Sequence, residues 1–258
     1  MKYCLFVKSG LESSSLVKSV LGVLSYDQRF QKDENNPDLV IVIGGDGTFL
    51  KAAQSVFPKN EFAHFLCLNA GTIGFYHDFD ESDINDIPAI VYKEKYLLGE
   101  IDVLEANDGR ANYYAFNEFN LTGLSQNIDY DVKIDGQYLE RFFGTGLIVS
   151  TVTGSTGYSR SLNGAIIDSN LHAMEITEIA GIYSKFHKSI KNSIIVASNR
   201  KISFENCSAR KGFLFADGFK LTEETIDKLT ISLSKKTLRC YIKNKDYFIN
   251  RIHKTLDL

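Results

Sequence analysis

The residue types best suited to chemistry come together in residues 44–48, Gly-Gly-Asp-Gly-Thr. Five apolar residues at 39–43 precede this segment, and apolar residues at helical spacing follow it as far as Pro58. The pattern predicts a turn from a buried strand into a helix, where glycines let the backbone approach a ligand and free N–H groups bind phosphate. A carboxylate repels phosphate, so Asp46 would instead hold a metal ion or accept a proton from a hydroxyl group. Helix N-capping is the alternative role for Asp46.

A second glycine turn, at 69–76, follows a second apolar run. In an open parallel sheet the two turns would lie side by side at the carboxyl ends of their strands. Phe75 and Tyr76 would then either offer a face to a base or ribose or belong to the core. We interpret His64 and His77 as structural, because neither histidine has a second ligand at metal spacing.

Two further polar segments interrupt apolar strands. Asn117 and Glu118 place an amide beside a carboxylate in an aromatic strand, and in a regular strand their side chains face opposite sides. Further along, a buried strand runs into a hydroxyl- and glycine-rich turn and then a helix. Seven Ser or Thr residues lie between 150 and 161, more than capping and turn formation explain. We therefore expect some of these hydroxyl groups to bind ribose hydroxyls or phosphates.

The elements that position these residues follow two patterns. In the first part of the chain, short apolar strands alternate with helices, among them a strand at 3–7, a helix at 13–24 and a helix at 48–57. This alternation predicts an α/β domain, residues 1–95, with a parallel, doubly wound sheet. Residues 247–256 carry apolar side chains on one helical face and predict a C-terminal helix.

From residue 96 to residue 239 the apolar side chains instead recur with a period of two. A hairpin turn at 107–109 leads into a strand at 112–122, and a turn at 135–136 leads into a strand at 137–151. The second domain, residues 96–239, is therefore predicted to be mainly antiparallel β.

Composition limits the class of protein. The formal net charge of −3 and the pI near 6.0 argue against a general nucleic-acid binder. The first apolar run is too short for a signal peptide, and no later run approaches the ~20 residues of a membrane span, so we expect a cytoplasmic protein. The four cysteines are far apart and predict neither a zinc site nor a disulfide framework.

Taken together, four motifs resemble those of the NAD kinases. They are the turns at 44–48 and 71–76, the pair Asn117–Glu118, and Ser-Thr-Val-Thr-Gly-Ser-Thr-Gly-Tyr at 150–158, and they follow in the family's order. The resemblance covers most of the chain. Diacylglycerol and sphingosine kinases share the first motif, whereas the last two motifs together are more specific to NAD kinases.

The resemblance implies an N-terminal α/β domain, a C-terminal β-rich domain, and a tail at 240–258 whose helix returns to the first domain. It also implies transfer of the γ-phosphoryl group of ATP, or in some members of polyphosphate, to the adenosine 2′-hydroxyl of NAD. Asp46 would be the proton acceptor. The residues expected near the phosphoryl donor are Gly44, Gly45, Gly47 and Thr48. The residues expected to bind NAD are Asp46, Gly47, Phe75, Tyr76, Asn117, Glu118, Thr145, Thr153, Thr156, Gly157, Tyr158, Ser161 and Ala180.

We expect Mg²⁺, or another divalent cation, to arrive with ATP and to be held mainly by its phosphates, because the sequence shows no fixed cluster of carboxylates that would coordinate the metal. The acid-rich stretch at 78–86 could suggest a cation site, but it is more typical of a solvated loop and the acidic first turn of a helix. No metal ligand is assigned to the protein itself. The expected partners are NAD and ATP, with neither nucleic acid nor membrane. The chain is also expected to form a homo-oligomer, a dimer or a tetramer.

Three positions depart from the family pattern: Thr145, where Asp is common, Val152, where Pro is usual, and Gly157, where Ala is usual. The change at Thr145 would weaken a contact to ribose or nicotinamide. Two alternatives stay open. A lipid kinase would keep the glycine turn and place an apolar groove in the β domain, while a non-catalytic nucleotide sensor would be expected to lose Asp46. A Rossmann dehydrogenase is disfavoured, because no Gly-x-Gly-x-x-Gly segment follows the first strand.

Overall fold

The computed structural model describes residues 1–71, 74–92, 96–185, 187–205, 210–243, 249 and 251–253. The chain divides into two compact units. The first unit comprises Met1–Ile101 and Thr237–Leu258, and the second comprises Asp102–Lys236. None of the helices in these described ranges is long and apolar enough to cross a membrane.

The first unit alternates strands and helices. Its elements are β1 (Lys2–Val7), α1 (Ser15–Tyr26), β2 (Gln31–Lys32), β3 (Leu39–Gly44), α2 (Asp46–Val56), β4 (His64–Asn69), a 3₁₀ helix (Glu81–Asp86), α3 (Ile87–Tyr92) and β5 (Leu97–Asn107), which continues into the second unit. The strands β2, β1, β3 and β4 lie side by side in that order, and all their pairs are parallel. The predicted parallel sheet is confirmed.

Helices cover this sheet on both faces. On one face, Ile41 of β3 packs in a core with Val20 of α1 and Ile87 of α3. On the other face, Phe65 of β4 meets Phe49 of α2, with ring centroids 5.8 Å apart. The near-continuous apolar strands follow from this burial on both sides, and the predicted doubly wound arrangement is confirmed.

Two helices begin at different residues from those predicted. α1 begins at Ser15, because Ser14 is its N-cap and accepts a hydrogen bond from Val17 N over 3.3 Å. α2 begins at Asp46, earlier than predicted, with Gly45 as its N-cap in an extended conformation. Asp46 therefore lies in the first turn of α2 and not in the turn ahead of it.

The second unit consists mainly of strands. They are β6 (Asn112–Ala115), β7 (Glu118–Thr122), β8 (Ile128–Ile134), β9 (Gln137–Gly144), β10 (Gly146–Thr151), β11 (Ala173–Ile179), β12 (Ile194–Ala197), β13 (Lys201–Glu205), β14 (Phe213–Ala216), β15 (Phe219–Lys220) and β16 (Leu229–Ile242), whose end belongs to the first unit. The helical segments are short: a 3₁₀ helix (Gly154–Thr156) and α4 (Tyr158–Ser161).

The strands of the second unit pair in two sets. A six-stranded sheet has the order β12-β11-β10-β7-β14-β15, and β16, β13, β8 and β9 are neighbours in a second set. The pairs in both sets are antiparallel, which confirms the predicted class of this region. On one face of the six-stranded sheet, Phe119, Val149 and Ile176 are in register and belong to the hydrophobic core of this unit.

The predicted strand at 112–122 is broken in two. β6 ends at Ala115 and β7 begins at Glu118, with Phe116 and Asn117 between them. The N–H groups of Phe116 and Asn117 donate to a side-chain carboxylate instead of a neighbouring strand. The apolar pattern is interrupted at the same point, because Ala115 and Phe116 are consecutive apolar residues and Asn117 and Glu118 are consecutive polar residues.

The predicted strand at 137–151 is also two strands, and they pair with different neighbours. β9 pairs with β8, whereas β10 pairs with β7 and β11, and the chain passes from one set to the other at Thr145. A Cβ on Gly144 would lie only 2.7 Å from Ala180 O. Glycine at this position therefore lets the segment after β11 approach closely beside the crossing.

Most of the predicted C-terminal helix at 247–256 lies outside the described residues. Its described positions, 249 and 251–253, are helical. Arg251 Nη2 lies 3.7 Å from Asp78 Oδ1, and the guanidinium group lies 5.2 Å from the centre of the Phe75 ring. These contacts attach this part of the tail to the first unit, as predicted.

Candidate active site

The two predicted glycine turns lie side by side in the first unit. β3 ends at Gly44 and β4 at Asn69, and these two residues are in register. Ala70 N donates to Gly44 O over 2.8 Å. A Cβ on Gly71 would lie 3.2 Å from Gly45 Cα, so the turns can approach this closely because both residues are glycine.

The carboxylate of Asp46 is held by the second of these turns. Asp46 Oδ1 accepts a hydrogen bond from Tyr76 N over 3.1 Å, and Phe75 N also donates to this carboxylate. The ring of His77 lies beside it, with Nδ1 3.5 Å from Asp46 Oδ1. Gly45 caps α2, and no side chain accepts a capping hydrogen bond there. The N-capping alternative for Asp46 is therefore wrong, and its carboxylate instead links the two turns.

The environment of Asp46 keeps its carboxylate ionised at neutral pH. Burial would raise the pKa of this carboxyl, but the His77 ring and the N–H groups of Phe75 and Tyr76 outweigh burial and hold the pKa below its ordinary value. The side chain of His77 is fully buried, and its two ring nitrogens have no hydrogen-bond partner among the described residues. At 3.5 Å, the approach of Nδ1 to Asp46 Oδ1 is a contact and not a hydrogen bond.

A cavity of about 400 Å³ adjoins this carboxylate. Its lining residues are Lys8, Gly45, Asp46, Gly47, Thr48, Gly71 and Gly74. The first N–H groups of a helix have no partner within it, so the start of α2 presents donors and a positive dipole end to the cavity. Gly44 has an indirect role, because a Cβ there would overlap the side chain of Thr48. Thr72 and Ile73 of the second motif lie outside the described residues. We call this space the glycine cavity.

Phe75 and Tyr76 have different surroundings. Tyr76 is 5% exposed, and its ring stacks on Phe49 with centroids 4.1 Å apart. The core alternative therefore describes the Tyr76 ring, and the contribution of Tyr76 to the site is its main-chain N–H. Phe75 is partly exposed, with Arg251 over its ring. Of these two residues, Phe75 is therefore the one that can present an aromatic face to a base or ribose.

In the second unit, the side chain of Asp217 binds the segment between β6 and β7. Its buried carboxylate accepts hydrogen bonds from the N–H groups of Phe116 (3.0 Å), Asn117 (2.7 Å) and Glu118 (3.2 Å). Asp217 N in turn donates to Glu118 O over 3.0 Å. Asp217 has a φ of 51° and precedes Gly218 in the hairpin turn between β14 and β15. Through these hydrogen bonds, Asp217 fixes the main chain at Asn117 and Glu118 and so sets the positions from which their side chains extend.

The face of the six-stranded sheet opposite the core carries buried polar residues. Glu118 of β7, Ser150 of β10 and Glu175 of β11 are in register on this face, and all three are buried. Ser159 of α4 packs on them: its Oγ donates to Glu175 Oε2 over 2.6 Å and lies 2.9 Å from Thr177 Oγ1. We call Glu118, Ser150, Glu175 and Thr177 the polar sheet face. It anchors the hydroxyl-rich turn.

Most hydroxyl groups of the turn at 150–161 have partners within the chain. Six of the seven do, namely Ser150, Thr151, Ser155, Thr156, Ser159 and Ser161. The expectation that folding of the turn explains only a few of them is wrong, because they bond main-chain carbonyls and Glu175. Among the described residues, the hydroxyl of Thr153 has no partner. Thr156 and Ser161 already donate to carbonyls, so they can only accept hydrogen bonds from a ligand.

Glu118 is set up to carry a proton at neutral pH. Burial and the nearby charge of Asp217 raise its pKa to about 8. Its Oε2 is buried and has no hydrogen-bond partner among the described residues. A Cβ on Gly157 would lie 3.6 Å from this oxygen and 3.8 Å from Asn117 Nδ2, so Gly157 lies directly beside both side chains. The next residue, Tyr158, is exposed.

Thr145 and Ala180 form a separate group in the second unit. Thr145 N donates to Ile179 O over 3.0 Å, and Ala180 has a positive φ of 47°. Both lie where β10 begins and β11 ends, whereas Glu118 pairs near the other end of β10. At ~3.3 Å per residue the two groups are roughly 15 Å apart along the strand. The second unit does not bring them together.

Comparison with known proteins identifies the family. Residues 22–96 match the family model of the ATP-NAD kinase N-terminal domain, and residues 120–241 match that of the ATP-NAD kinase C-terminal domain. The chain is 30% identical to the NAD kinase of Lactobacillus gasseri over 98% of this chain and 96% of that protein. It is 32% identical to the NAD kinase of Lacticaseibacillus paracasei over 86% of each. The chain belongs to the NAD kinase family. The predicted family and its enzyme class, phosphotransferase, are confirmed.

Solved structures agree with this family on the fold. The NAD kinase from Archaeoglobus fulgidus in complex with ATP gives a TM-score of 0.80 at 21% identity, covering the whole of both chains. Yeast NADH kinase complexed with NADH gives a TM-score of 0.84 at 19% identity, covering the whole of this chain and 88% of that one. These likenesses establish that the chain has the NAD kinase fold.

Three residues that contact or line the candidate site were not predicted from the NAD kinase motifs. Asp217 and Gly218 separate two apolar runs and are a hairpin signal, but that signal says nothing about contact with Asn117. His77 directly follows the second turn, which is a signal of proximity to it. Lys8 is the first charged residue after β1, and a charge at the carboxyl end of a parallel strand is the available signal for it.

Proposed function

We propose that this chain transfers the γ-phosphoryl group of ATP to the 2′-hydroxyl of the adenosine ribose of NAD, giving NADP. The observation that carries the proposal is the carboxylate of Asp46, which is held by the N–H of Tyr76 beside the His77 ring, at the wall of the glycine cavity. A phosphoryl donor needs N–H groups and space, and a hydroxyl acceptor needs a base. The names of the relatives, and the ATP bound by the Archaeoglobus fulgidus enzyme, support the same assignment.

The phosphoryl donor would occupy the glycine cavity of the first unit. Gly45, Gly47 and Thr48 would surround its phosphates at the start of α2. Among the residues that the structure describes, no group of three or more His, Cys, Asp or Glu residues could hold a metal ion. We therefore assign Mg²⁺, or another divalent cation, to the substrate as its complex with ATP. Bound to the phosphates, the cation neutralises charge on the group that is transferred.

Asp46 would orient the attacking hydroxyl group and take its proton. The 2′-oxygen forms a bond to the γ-phosphorus while the bond from that phosphorus to the bridging oxygen breaks, and ADP leaves. The lowered pKa of Asp46 keeps its carboxylate ready to accept the hydroxyl hydrogen bond, and the proton moves to it as the new bond forms. The N–H groups of Tyr76 and Phe75 hold this carboxylate in one orientation, and the His77 ring lies beside it.

The side chains around Asn117 would bind the adenosine end of NAD. Glu118, protonated at neutral pH, can both donate and accept, which suits two neighbouring ribose hydroxyls. The Thr153 hydroxyl group has no partner within the part of the chain that the structure describes, and Gly157 leaves space beside the Asn117 and Glu118 side chains. The other predicted contacts from this turn are Thr156, Tyr158 and Ser161.

We propose further that the chain acts in the cytoplasm as a homo-oligomer, a dimer or a tetramer. Thr145 and Ala180 were predicted to bind the same NAD as Asn117, yet they lie roughly 15 Å away along β10. A second copy of the chain could supply these two residues to an NAD molecule bound by the first. Light scattering of the purified chain, with and without NAD, measures the oligomeric state.

The test of the proposed function is a direct assay. The purified chain is incubated with NAD, ATP and Mg²⁺, and NADP is measured with an NADP-specific dehydrogenase. Formation of NADP by the unaltered chain, and its loss in Asp46→Asn, supports the proposal. A chain that binds NAD but forms no NADP from ATP or polyphosphate would be a sensor. Phosphorylation of diacylglycerol or sphingosine in place of NAD would identify a lipid kinase.

A further inference from the structure

A positively charged side chain lines the glycine cavity, and none of the four motifs gives it a role. Among its described lining residues, Lys8 is the one with a positive charge and Asp46 the one with a negative charge. Lys8 is exposed, and its ammonium group forms no ion pair with the described residues. This side chain is therefore free to bind an anion that enters the cavity.

Backbone hydrogen bonds place Lys8 firmly at the edge of the sheet. Lys8 N donates to Ile43 O over 2.8 Å, so the pairing of β1 with β3 continues one residue beyond Val7. Lys8 O accepts a hydrogen bond from Leu11 N over 3.0 Å, which turns the chain away from the sheet. Lys8 is consequently fixed next to Gly44, where β3 ends and the first glycine turn begins.

Strand periodicity sets the direction of the Lys8 side chain. Side chains alternate along a strand, so Lys8 faces the same side of the sheet as Cys4. Cys4 is in register with Val40, and Val40 with Phe65, which packs against Phe49 of α2. Lys8 is therefore on the side covered by α2, and its flexible stem lets the ammonium group reach a ligand at the start of that helix.

This combination of groups suits an anion with several charges. A helix start offers directed N–H donors and a lysine offers a point charge, and both bind phosphate oxygens. Asp46, by contrast, repels phosphate, and a cation in the same cavity offsets that repulsion. We propose that Lys8 binds the phosphate chain of the phosphoryl donor, a nucleoside triphosphate or a polyphosphate. The identity of the donor rests on the proposed function, whereas phosphate binding by Lys8 does not.

Binding of inorganic tripolyphosphate tests this proposal without any need for turnover. Lys8→Met removes the charge and keeps most of the apolar stem, and Lys8→Arg restores a cation. Lys51→Met is the matched control, because Lys51 is also exposed but lies within α2 and does not line the cavity. By calorimetry, we expect Lys8→Met to weaken tripolyphosphate binding by about tenfold or more, the loss of one charge-assisted contact. Lys8→Arg should recover most of the affinity, and Lys51→Met should match the unaltered chain.

Steady-state kinetics add a second readout. The KM for ATP should rise about tenfold or more in Lys8→Met, with little change in the KM for NAD. Tripolyphosphate binding by Lys8→Met that equals that of Lys51→Met would overturn the proposal. A lower melting temperature with equal losses for ATP and NAD would also overturn it, since Lys8 would then support the fold. If the unaltered chain binds tripolyphosphate but forms no NADP, the proposed function fails, and the binding series alone decides the role of Lys8.

Discussion

The two units build their polar regions from different parts of the chain. In the first unit, the glycine cavity is walled largely by the main chain of two turns, and its described charged side chains are Lys8 and Asp46. In the second unit, the polar sheet face is formed by buried side chains of several strands, such as Glu118 and Glu175. One region presents backbone donors around a carboxylate, and the other presents side-chain groups around a turn.

This difference determines what each region cannot tolerate. The glycine cavity depends on missing side chains, since a Cβ on Gly71 would already lie 3.2 Å from Gly45 Cα. The second region depends on hydrogen bonds between buried polar groups. Loss of the Asp217 carboxylate, for example, would leave three main-chain N–H groups without their acceptor. Under the proposed function, the first unit would carry the chemistry and the second would recognise the dinucleotide.

The largest expected effect is loss of turnover at the glycine cavity. Asp46→Asn keeps an oxygen that accepts the Tyr76 N–H but cannot take a proton from a hydroxyl group. We expect kcat to fall by ~10² to 10⁴-fold, the usual contribution of a general base. NAD affinity, measured by calorimetry, should change little. Unchanged turnover would show that Asp46 has only a structural role, and an equal loss of NAD affinity would contradict the division between the units.

The opposite pattern is expected at Asn117. Removal of its amide in Asn117→Ala leaves a polar group of the ligand unpaired, which costs about 1 to 3 kcal/mol, or about a tenfold to hundredfold loss of NAD affinity. ATP affinity should stay close to that of the unaltered chain. Asn170→Ala, at an exposed position of the same unit, is the control. Parallel changes for NAD and ATP, or a lower melting temperature alone, would remove Asn117 from the recognition site.

The glycine cavity could be predicted from the sequence because the signals for its turns are local. The apolar strand, the glycine turn and the helix of residues 39–56 follow one another directly, and one rule of sheet topology brings the second turn beside the first. Exact contacts were not predictable in the same way. Whether Asp46 caps its own helix or binds Tyr76 depends on how the two turns pack. The sequence alone does not give the distance between the Asp46 carboxylate and Tyr76 N.

The polar region of the second unit was predicted less well, because the groups that form hydrogen bonds with one another there come from separate parts of the sequence. The break at Asn117 depends on Asp217, 100 residues further along the chain. The sequence shows how many hydroxyl groups the turn at 150–161 contains, but not that Ser159 of α4 bonds Glu175 of β11. Composition therefore indicated a polar site and overstated how many of its groups are left for a ligand.

A smaller effect should appear in the dependence of stability on pH. The pKa of Glu118 is raised to about 8 in the folded chain, whereas in the unfolded chain it returns to its ordinary, much lower value. Between these values the folded state keeps a proton that the unfolded state has lost. The free energy of unfolding therefore falls as pH rises toward about 8, and the penalty is complete above it.

Glu118→Gln tests this, because the amide stays neutral at every pH. The melting temperature of the variant relative to the unaltered chain should rise from pH 5 to pH 8, by on the order of 5 °C or more. Scanning fluorimetry across this range measures the difference. Glu223→Gln, at an exposed position of the same unit, is the control. A difference that does not change with pH would contradict a protonated Glu118.

The smallest expected effects separate two hydroxyl groups within one turn. Thr153 has no partner among the described residues, whereas Ser159 bonds Glu175 and contacts Thr177. If the second unit recognises NAD through groups left over from folding, Thr153→Ala should raise the KM for NAD by about two- to tenfold and leave the melting temperature unchanged. Ser159→Ala should instead leave a buried carboxylate short of a donor and lower the melting temperature by roughly 2 to 8 °C.

Each variant is the control for the other, because both remove a single hydroxyl group from the same turn. Thermal unfolding reports on the fold, and the KM for NAD at saturating ATP reports on recognition. We expect Thr153→Ala to change the KM for NAD and Ser159→Ala to change the melting temperature. That result would support the contrast between the groups of the turn that are left for a ligand and those used in folding. Equal destabilisation by both, with no change in the KM for NAD, would mean that this turn is wholly structural. Recognition of NAD would then have to depend on Asn117 and Glu118 without the turn that covers them.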